Sequence, residues 1–173
     1  MTLRENTLAA LRGEAVEQVP FTCYKGLMPP GAEAIENLCM VVTPRAATLT
    51  TPGVSTTSEE IAPRRRLMRM ETPWGVLTRE VEVESGYGSG WTREHWIKRP
   101  EDYTILEQVL RTTEIAPCPE SYAEARETVG DRGIALLWTA RAPFQRLWIE
   151  YAGIERLSYD FADCPAAVEG VLD

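Results

Sequence analysis

The 173-residue chain has a single histidine, His95, and only four cysteines, at positions 23, 39, 118 and 164. The cysteines form no C-x-x-C pair and none has the histidine near it in sequence, which excludes the usual zinc-finger and dithiol redox spacings. Reduced, mostly buried thiols are the expectation for such a pattern. No apolar run approaches the length that a membrane-spanning helix needs. Arg4, Glu5, Arg12 and Glu14 interrupt the first segment, so the apolar core of a secretory signal cannot be drawn there. Positive charge is also short: 18 Lys and Arg against 26 Asp and Glu leave a net charge of −8. That excess repels phosphate backbones and argues against a nucleic-acid partner. A cytoplasmic protein without membrane association is the expectation.

Hydrophobic residues make up 44% of the chain and charged residues 25%, the balance of a globular protein with an apolar core. The length suits one domain over residues 1–173. No repeat or low-complexity linker divides it.

Residues 2–13 read as a short amphipathic helix with Leu3, Leu8 and Leu11 on one face and Gly13 at its stop. Val19–Lys25 favours an extended strand, broken by Gly26 and Pro29-Pro30-Gly31, and residues 32–38 suit a brief helix. Met40-Val41-Val42 reads as a buried strand ended by Pro44. From Val54 to Glu84 charged and apolar residues alternate around a Thr72-Pro-Trp-Gly75 turn, which predicts an antiparallel hairpin or meander with Leu77, Val81 and Val83 inward. The basic run Arg64-Arg65-Arg66, with Arg69 and Arg79, is flanked by Glu59, Glu60, Glu71, Glu80, Glu82 and Glu84, and these charges can pair across strands.

Pro100 opens a helix in which Tyr103, Leu106, Val109 and Leu110 fall at helical spacing. Ser121-x-x-Glu124 matches a capping box and Gly130 a helix stop. Ile134–Thr139 reads as the clearest strand, followed by a helix from Pro143 carrying Phe144, Leu147, Trp148 and Tyr151 up to Gly153. Asp163-Cys-Pro165 suits the start of another helix, which the chain end at Asp173 cuts short. Strands alternating with helices imply a parallel α/β architecture, with the charged meander around residues 54–84 inserted in it.

Four stretches resemble the uroporphyrinogen decarboxylase superfamily, which includes the porphyrinogen decarboxylases and the corrinoid-dependent methyltransferases. They are Arg4-Glu-Asn-Thr-Leu-Ala-Ala-Leu-Arg-Gly-Glu14 with Val19-Pro20, Thr72-Pro-Trp-Gly-Val-Leu-Thr78, Ile97-Lys-Arg-Pro-Glu-Asp-Tyr-Thr-Ile-Leu106, and Gly130-Asp-Arg-Gly133 with its strand and Ala142-Pro-Phe144. Each is weakly specific alone, but they come in the family's order and span nearly the whole chain. The resemblance implies a (β/α)₈ barrel. Such barrels take roughly 250 residues, so this chain would supply an N-terminal part, a partial TIM barrel, and a homo-oligomer or a missing C-terminal half would complete it.

In barrels of this type catalytic and binding groups follow the carboxyl ends of the strands. By that rule the resemblance selects Tyr24 and Lys25 after the first strand, Arg45 after the second, and Thr139, Arg141 and Gln145 after the third as substrate-binding residues. The cations among them suit a small-molecule carboxylate or phosphate. The paired-arginine segment of the porphyrinogen decarboxylases is replaced here by Cys23-Tyr-Lys-Gly-Leu-Met-Pro-Pro30. The expectation therefore leans to the methyltransferase branch, with polycarboxylate decarboxylation and a non-catalytic scaffold as alternatives. In that branch zinc and a corrinoid partner belong to the complete family protein. Its His-x-Cys segment has no counterpart around His95, so no metal or cofactor is assigned to this chain. His95, in Arg93-Glu-His-Trp-Ile97, is read as structural rather than as a proton shuttle, and Cys23 as a buried apolar group. Gly86-Tyr-Gly-Ser-Gly90 reads as a turn, since no strand-to-helix context makes it a phosphate loop. Glu80, Glu82 and Glu84 read as an ion-paired surface.

Overall fold

The computed structural model describes residues 1–84 and 89–173. The Gly86–Gly90 turn lies largely outside them. In chain order the elements are α1 (Leu3–Leu11), β1 (Phe21–Tyr24), β2 (Leu38–Val42), β3 (Ala47–Thr50), β4 (Ser55–Ala62), β5 (Arg65–Thr72), β6 (Gly75–Val83) and β7 (Gly90–Glu94). Then come α2 (Pro100–Arg111), β8 (Glu114–Pro117), α3 (Pro119–Val129), β9 (Gly133–Ala135), α4 (Pro143–Arg146), α5 (Ile154–Asp163) and α6 (Pro165–Leu172). They pack as two units, one of Met1–Thr48 with Ile115–Ala140, the other of Leu49–Glu114 with Arg141–Asp173. The chain crosses between the units within β3, within β8 and after Ala140.

The first unit is built on a parallel sheet in the order β1-β2-β9. Central β2 pairs on one side with β1, Phe21 opposite Leu38, and on the other with β9, Met40 opposite Gly133. Cys39, Val41 and Ile134 form its core, with Leu3 and Leu8 of α1 packed against them. Helix α1 starts with a reciprocal cap: the Glu5 N–H donates to Thr2 Oγ1 at 3.1 Å and the Thr2 N–H to Glu5 Oε2 at 2.8 Å. Asn6, 3% exposed, holds the segment leading to β1 by donating to the Gln18 carbonyl at 2.7 Å and accepting the Glu17 N–H at 3.0 Å. Glycine is required at 133, because a Cβ there would lie 2.4 Å from the Met40 carbonyl oxygen.

The strand expected over residues 134–139 is only β9, Gly133–Ala135, with one further bond from the Leu136 N–H to the Val42 carbonyl. Its partner β2 ends at Val42, and without a ladder the apolar run 136–138 stays irregular and exposed. Helix α3 likewise begins two residues before the expected Ser121 cap, with Pro119 in its first turn. Ser121 Oγ instead accepts the Arg45 N–H at 3.0 Å. The helix expected over 32–38 is a single 3₁₀ turn, Ala32–Ala34.

The second unit contains an antiparallel sheet in the order β4-β5-β6-β7. The meander expected from residues 54–84 is thus present and gains a fourth strand. At the β5–β6 turn Thr72 Oγ1 accepts the Trp74 N–H at 3.1 Å and donates to the Gly75 carbonyl at 2.8 Å. Gly75 has φ +146, and a Cβ on it would meet Ile105 Cδ1 of α2 at 2.6 Å, so the glycine lets sheet and helix approach. Leu77 is buried as expected, while Val81 and Val83 are half-buried. Arg65 pairs with Glu80 across strands as expected, while Glu82 is taken by Arg93 of β7, at 2.8 Å.

Helix α2 packs against β6, α6 packs on α2 and α5 on α6, and Leu77, Trp96, Tyr103, Leu106, Leu147, Leu157 and Val168 are buried in one core. Asp102 fixes the start of α2: its Oδ2 accepts the Lys98 N–H at 2.8 Å and the Arg99 N–H at 3.2 Å. Asp160, 2% exposed, is satisfied by the Tyr103 hydroxyl at 2.8 Å and Arg156 Nε at 2.7 Å. It lies on α5, a helix for which residues 154–163 gave no expectation. Leu106 is 1% exposed. Leu106→Ala is expected to lower stability by about 2–5 kcal/mol, measured by chemical denaturation; a loss below about 1 kcal/mol would mean that this core is not close-packed.

Candidate functional site

Parallel pairing brings the carboxyl ends of β1 and β2 to one edge of the first unit, with Tyr24 opposite Val41. Tyr24 is the last residue of β1, and Lys25 opens the 3₁₀ turn Lys25–Leu27 that follows it. Arg45 follows β2 after Pro44, and Thr139 lies in the irregular segment after β9. All four are exposed. Among the described residues no carboxylate pairs with Lys25 or Arg45, whereas many arginines of the second unit are paired. Two strand-end cations are therefore available for an anion on this edge.

Arg141 and Gln145 belong to the second unit and have local partners. Arg141 Nη1 donates to Glu150 Oε1 at 2.9 Å. Gln145 Oε1 accepts the Ala142 N–H at 3.3 Å, which caps α4. Of the six residues selected from sequence, four share one sheet edge or the segment after it, Gln145 caps the start of α4, and Arg141 pairs with Glu150 in the turn after α4.

Sequence reasoning missed a pocket of about 210 Å³ in the second unit. Its floor is apolar: Leu110 at the end of α2, Leu147, and Val171 with Leu172 at the end of α6. Arg141, Arg146 and Tyr151 supply its polar part. After α4 the backbone widens into a π-helical turn over Leu147–Tyr151, closed by the Ala152 N–H to the Leu147 carbonyl at 2.8 Å. This register brings residues five apart together. The Arg146 guanidinium lies 5.2 Å from the Tyr151 ring centroid and also hydrogen-bonds its hydroxyl. Burial pushes the Tyr151 hydroxyl pKa up, with Arg146 acting in the opposite direction. A reading of helices at 3.6 residues per turn cannot find a pair spaced by five.

Other reactive side chains are held in structural surroundings. All four cysteines are free thiols, and only Cys39 is fully buried, so the expectation of mostly buried thiols applies to that one. Cys23 is half-buried, with Sγ 3.6 Å from the Tyr24 carbonyl. A hydrogen bond to Glu120 pushes the Cys118 thiol pKa up, and burial does the same for Cys164. Both are thereby kept from the nucleophilic thiolate form. Among the described residues no three His, Cys, Asp or Glu side chains converge to hold a metal. The donor set does not fit a zinc site within these residues. No described helix is long and apolar enough to cross a membrane.

His95 follows β7, its ring against Gly153, where a Cβ would come within 2.9 Å of ring atoms. Burial lowers its pKa, against a hydrogen bond with the Ile149 backbone that raises it. A histidine whose folded pKa is depressed contributes stability above its unfolded pKa of about 6.5, and this is lost as pH falls through the folded value. Stability is therefore expected to drop as pH falls below about 6.5, and His95→Gln should flatten that part of the profile in denaturation measured across pH. An unchanged slope would show that His95 titrates as freely in the native state as in the unfolded chain.

No family model, curated protein or solved structure matches the chain.

Proposed function

We propose that the chain forms the opening strands of a uroporphyrinogen decarboxylase-like (β/α) barrel of the corrinoid-dependent methyltransferase type, contributing an anion-binding rim to a pocket that further strands complete. The observation that carries this reading is the parallel sheet β1-β2-β9, whose spatial order follows the chain order, as in the first strands of such a barrel. Lys25 and Arg45 follow successive strands at its carboxyl edge. A helix precedes β1 and another precedes β9, while β1 and β2 are joined through two short 3₁₀ turns. Among the described residues the outer sides of β1 and β9 have no partner strand in this sheet, and unpaired parallel strands call for further strands or a second copy.

The absence of an arginine pair after β1 favours the methyltransferase branch over porphyrinogen decarboxylation. Zinc-thiolate and corrinoid chemistry would be supplied by the complete assembly. The part of Tyr24, Lys25 and Arg45 is to orient an anionic substrate by hydrogen bonds and charge.

A second reading, a non-catalytic scaffold acting through oligomerisation, is favoured by exposed apolar side chains on the same sheet and in the segment that follows β9. Phe21 is 62% and Trp138 64% exposed, which suits a surface covered by another chain. Elemental analysis and anion titration of the assembled protein separate the two readings. The enzyme reading expects bound zinc, together with about tenfold weaker binding of a tricarboxylate such as citrate in Lys25→Ala and Arg45→Ala, the effect of losing one charge-assisted contact. An assembly without zinc whose citrate affinity is unchanged by both substitutions would reject it in favour of the scaffold.

A further inference from the structure

The pocket between the ends of α2 and α6 and the π-helical turn has a composition unlike the other concavities of its unit. Those along the β4–β7 sheet are lined mainly by arginines and glutamates, among them the pairs Arg65–Glu80 and Arg93–Glu82. This one joins an apolar floor of Leu110, Leu147 and Leu172 to two guanidinium groups, Arg141 and Arg146. Both guanidinium groups share one carboxylate, Glu150, at 2.9 and 3.4 Å. One negative charge against two leaves an excess positive charge beside an apolar cavity. The longer contact is weak by hydrogen-bond standards. Each guanidinium has five N–H donors, and the bonds to Glu150 and the Tyr151 hydroxyl use few of them.

A second observation points the same way. A π-helical turn is rare and frequently occurs at functional sites. Here it supplies Leu147 to the floor and Tyr151 to the polar end, and stacks Arg146 on the Tyr151 ring. Stacking fixes the guanidinium plane, so little rotamer freedom is lost when an anion binds.

We infer that this pocket binds a small amphipathic carboxylate, with its carboxylate between Arg141 and Arg146 and its hydrocarbon tail on Leu110, Leu147 and Leu172. The 210 Å³ of space holds a tail of roughly six to eight carbons, taking about 30 Å³ for each water-sized group. The site is independent of the strand-end rim: all its residues belong to the second unit, and it requires neither zinc nor a completed barrel.

Isothermal titration with octanoate tests the assignment, with octanol and octylamine as matched tails bearing a neutral or a cationic head. Saturable binding of octanoate is expected, with octanol at least about tenfold weaker and octylamine showing no binding. Arg141→Gln should weaken octanoate about tenfold or more, and Leu172→Trp, which fills the tail space, should abolish binding. Arg146→Ala removes a side chain packed on Tyr151 and can disturb the turn. Arg141 is half exposed, and its variant is the decisive one once its melting temperature matches that of the parent. Absence of octanoate binding, equal affinity for octanol, or unchanged affinity in Arg141→Gln would each overturn the inference.

Discussion

The first unit depends on the pairing of β2 with a parallel neighbour on each side. Among the described strands of this sheet only β2 is paired on both edges, and its inward residues Cys39 and Val41 join Ile134 as the buried centre. The contact tolerates no side chain at residue 133, since the β2 backbone at Met40 occupies that space. One glycine thus sets how closely β9 approaches, and the end of β2 sets where β9 stops. The strand ends that result carry Tyr24 and Lys25 on one connection and Arg45 on the next. The proposed anion rim is a consequence of that pairing and owes nothing to any local motif.

The second unit rests on a comparable close approach. Gly75 admits Ile105 of α2 against the sheet, and Asp102 secures the first turn of the same helix through two backbone N–H groups. Burial of Tyr103 and Asp160 costs little because each satisfies the other and Arg156 completes the set. Within this rigid surround the π-helical turn is the one irregular segment of its helical stretch. The surrounding packing holds this wider register, which places Arg146 over the Tyr151 ring.

Much of this was legible in the sequence. Alternation around Thr72-Pro-Trp-Gly75 gave the meander, because period-two patterning and turn chemistry are local. Pro100 and the spacing of Tyr103, Leu106 and Val109 gave α2 for the same reason. What failed depended on distant partners. Ile134–Thr139 has the composition of a long strand, yet a strand extends only as far as its neighbour, and β2 ends at Val42. Ser121 looks like a cap, but its hydroxyl is taken by the backbone of Arg45, 76 residues away. Arg141 and Gln145 were grouped with the strand ends by analogy with a barrel. The structure gives them partners beside α4, and the pocket lined by Arg141 appears only once the π-helical register is seen.

The central claim is that the outer edges of β1 and β9 are covered in the working protein. Amide hydrogen exchange on the assembled protein measures this directly, because unpaired edge amides exchange by local opening far more readily than central ones. Protection of Phe21–Tyr24 and Gly133–Ala135 comparable with that of Leu38–Val42 is the result the account predicts. Rapid exchange in β1 and β9 while β2 remains protected would show a sheet that functions with open edges, and would contradict it.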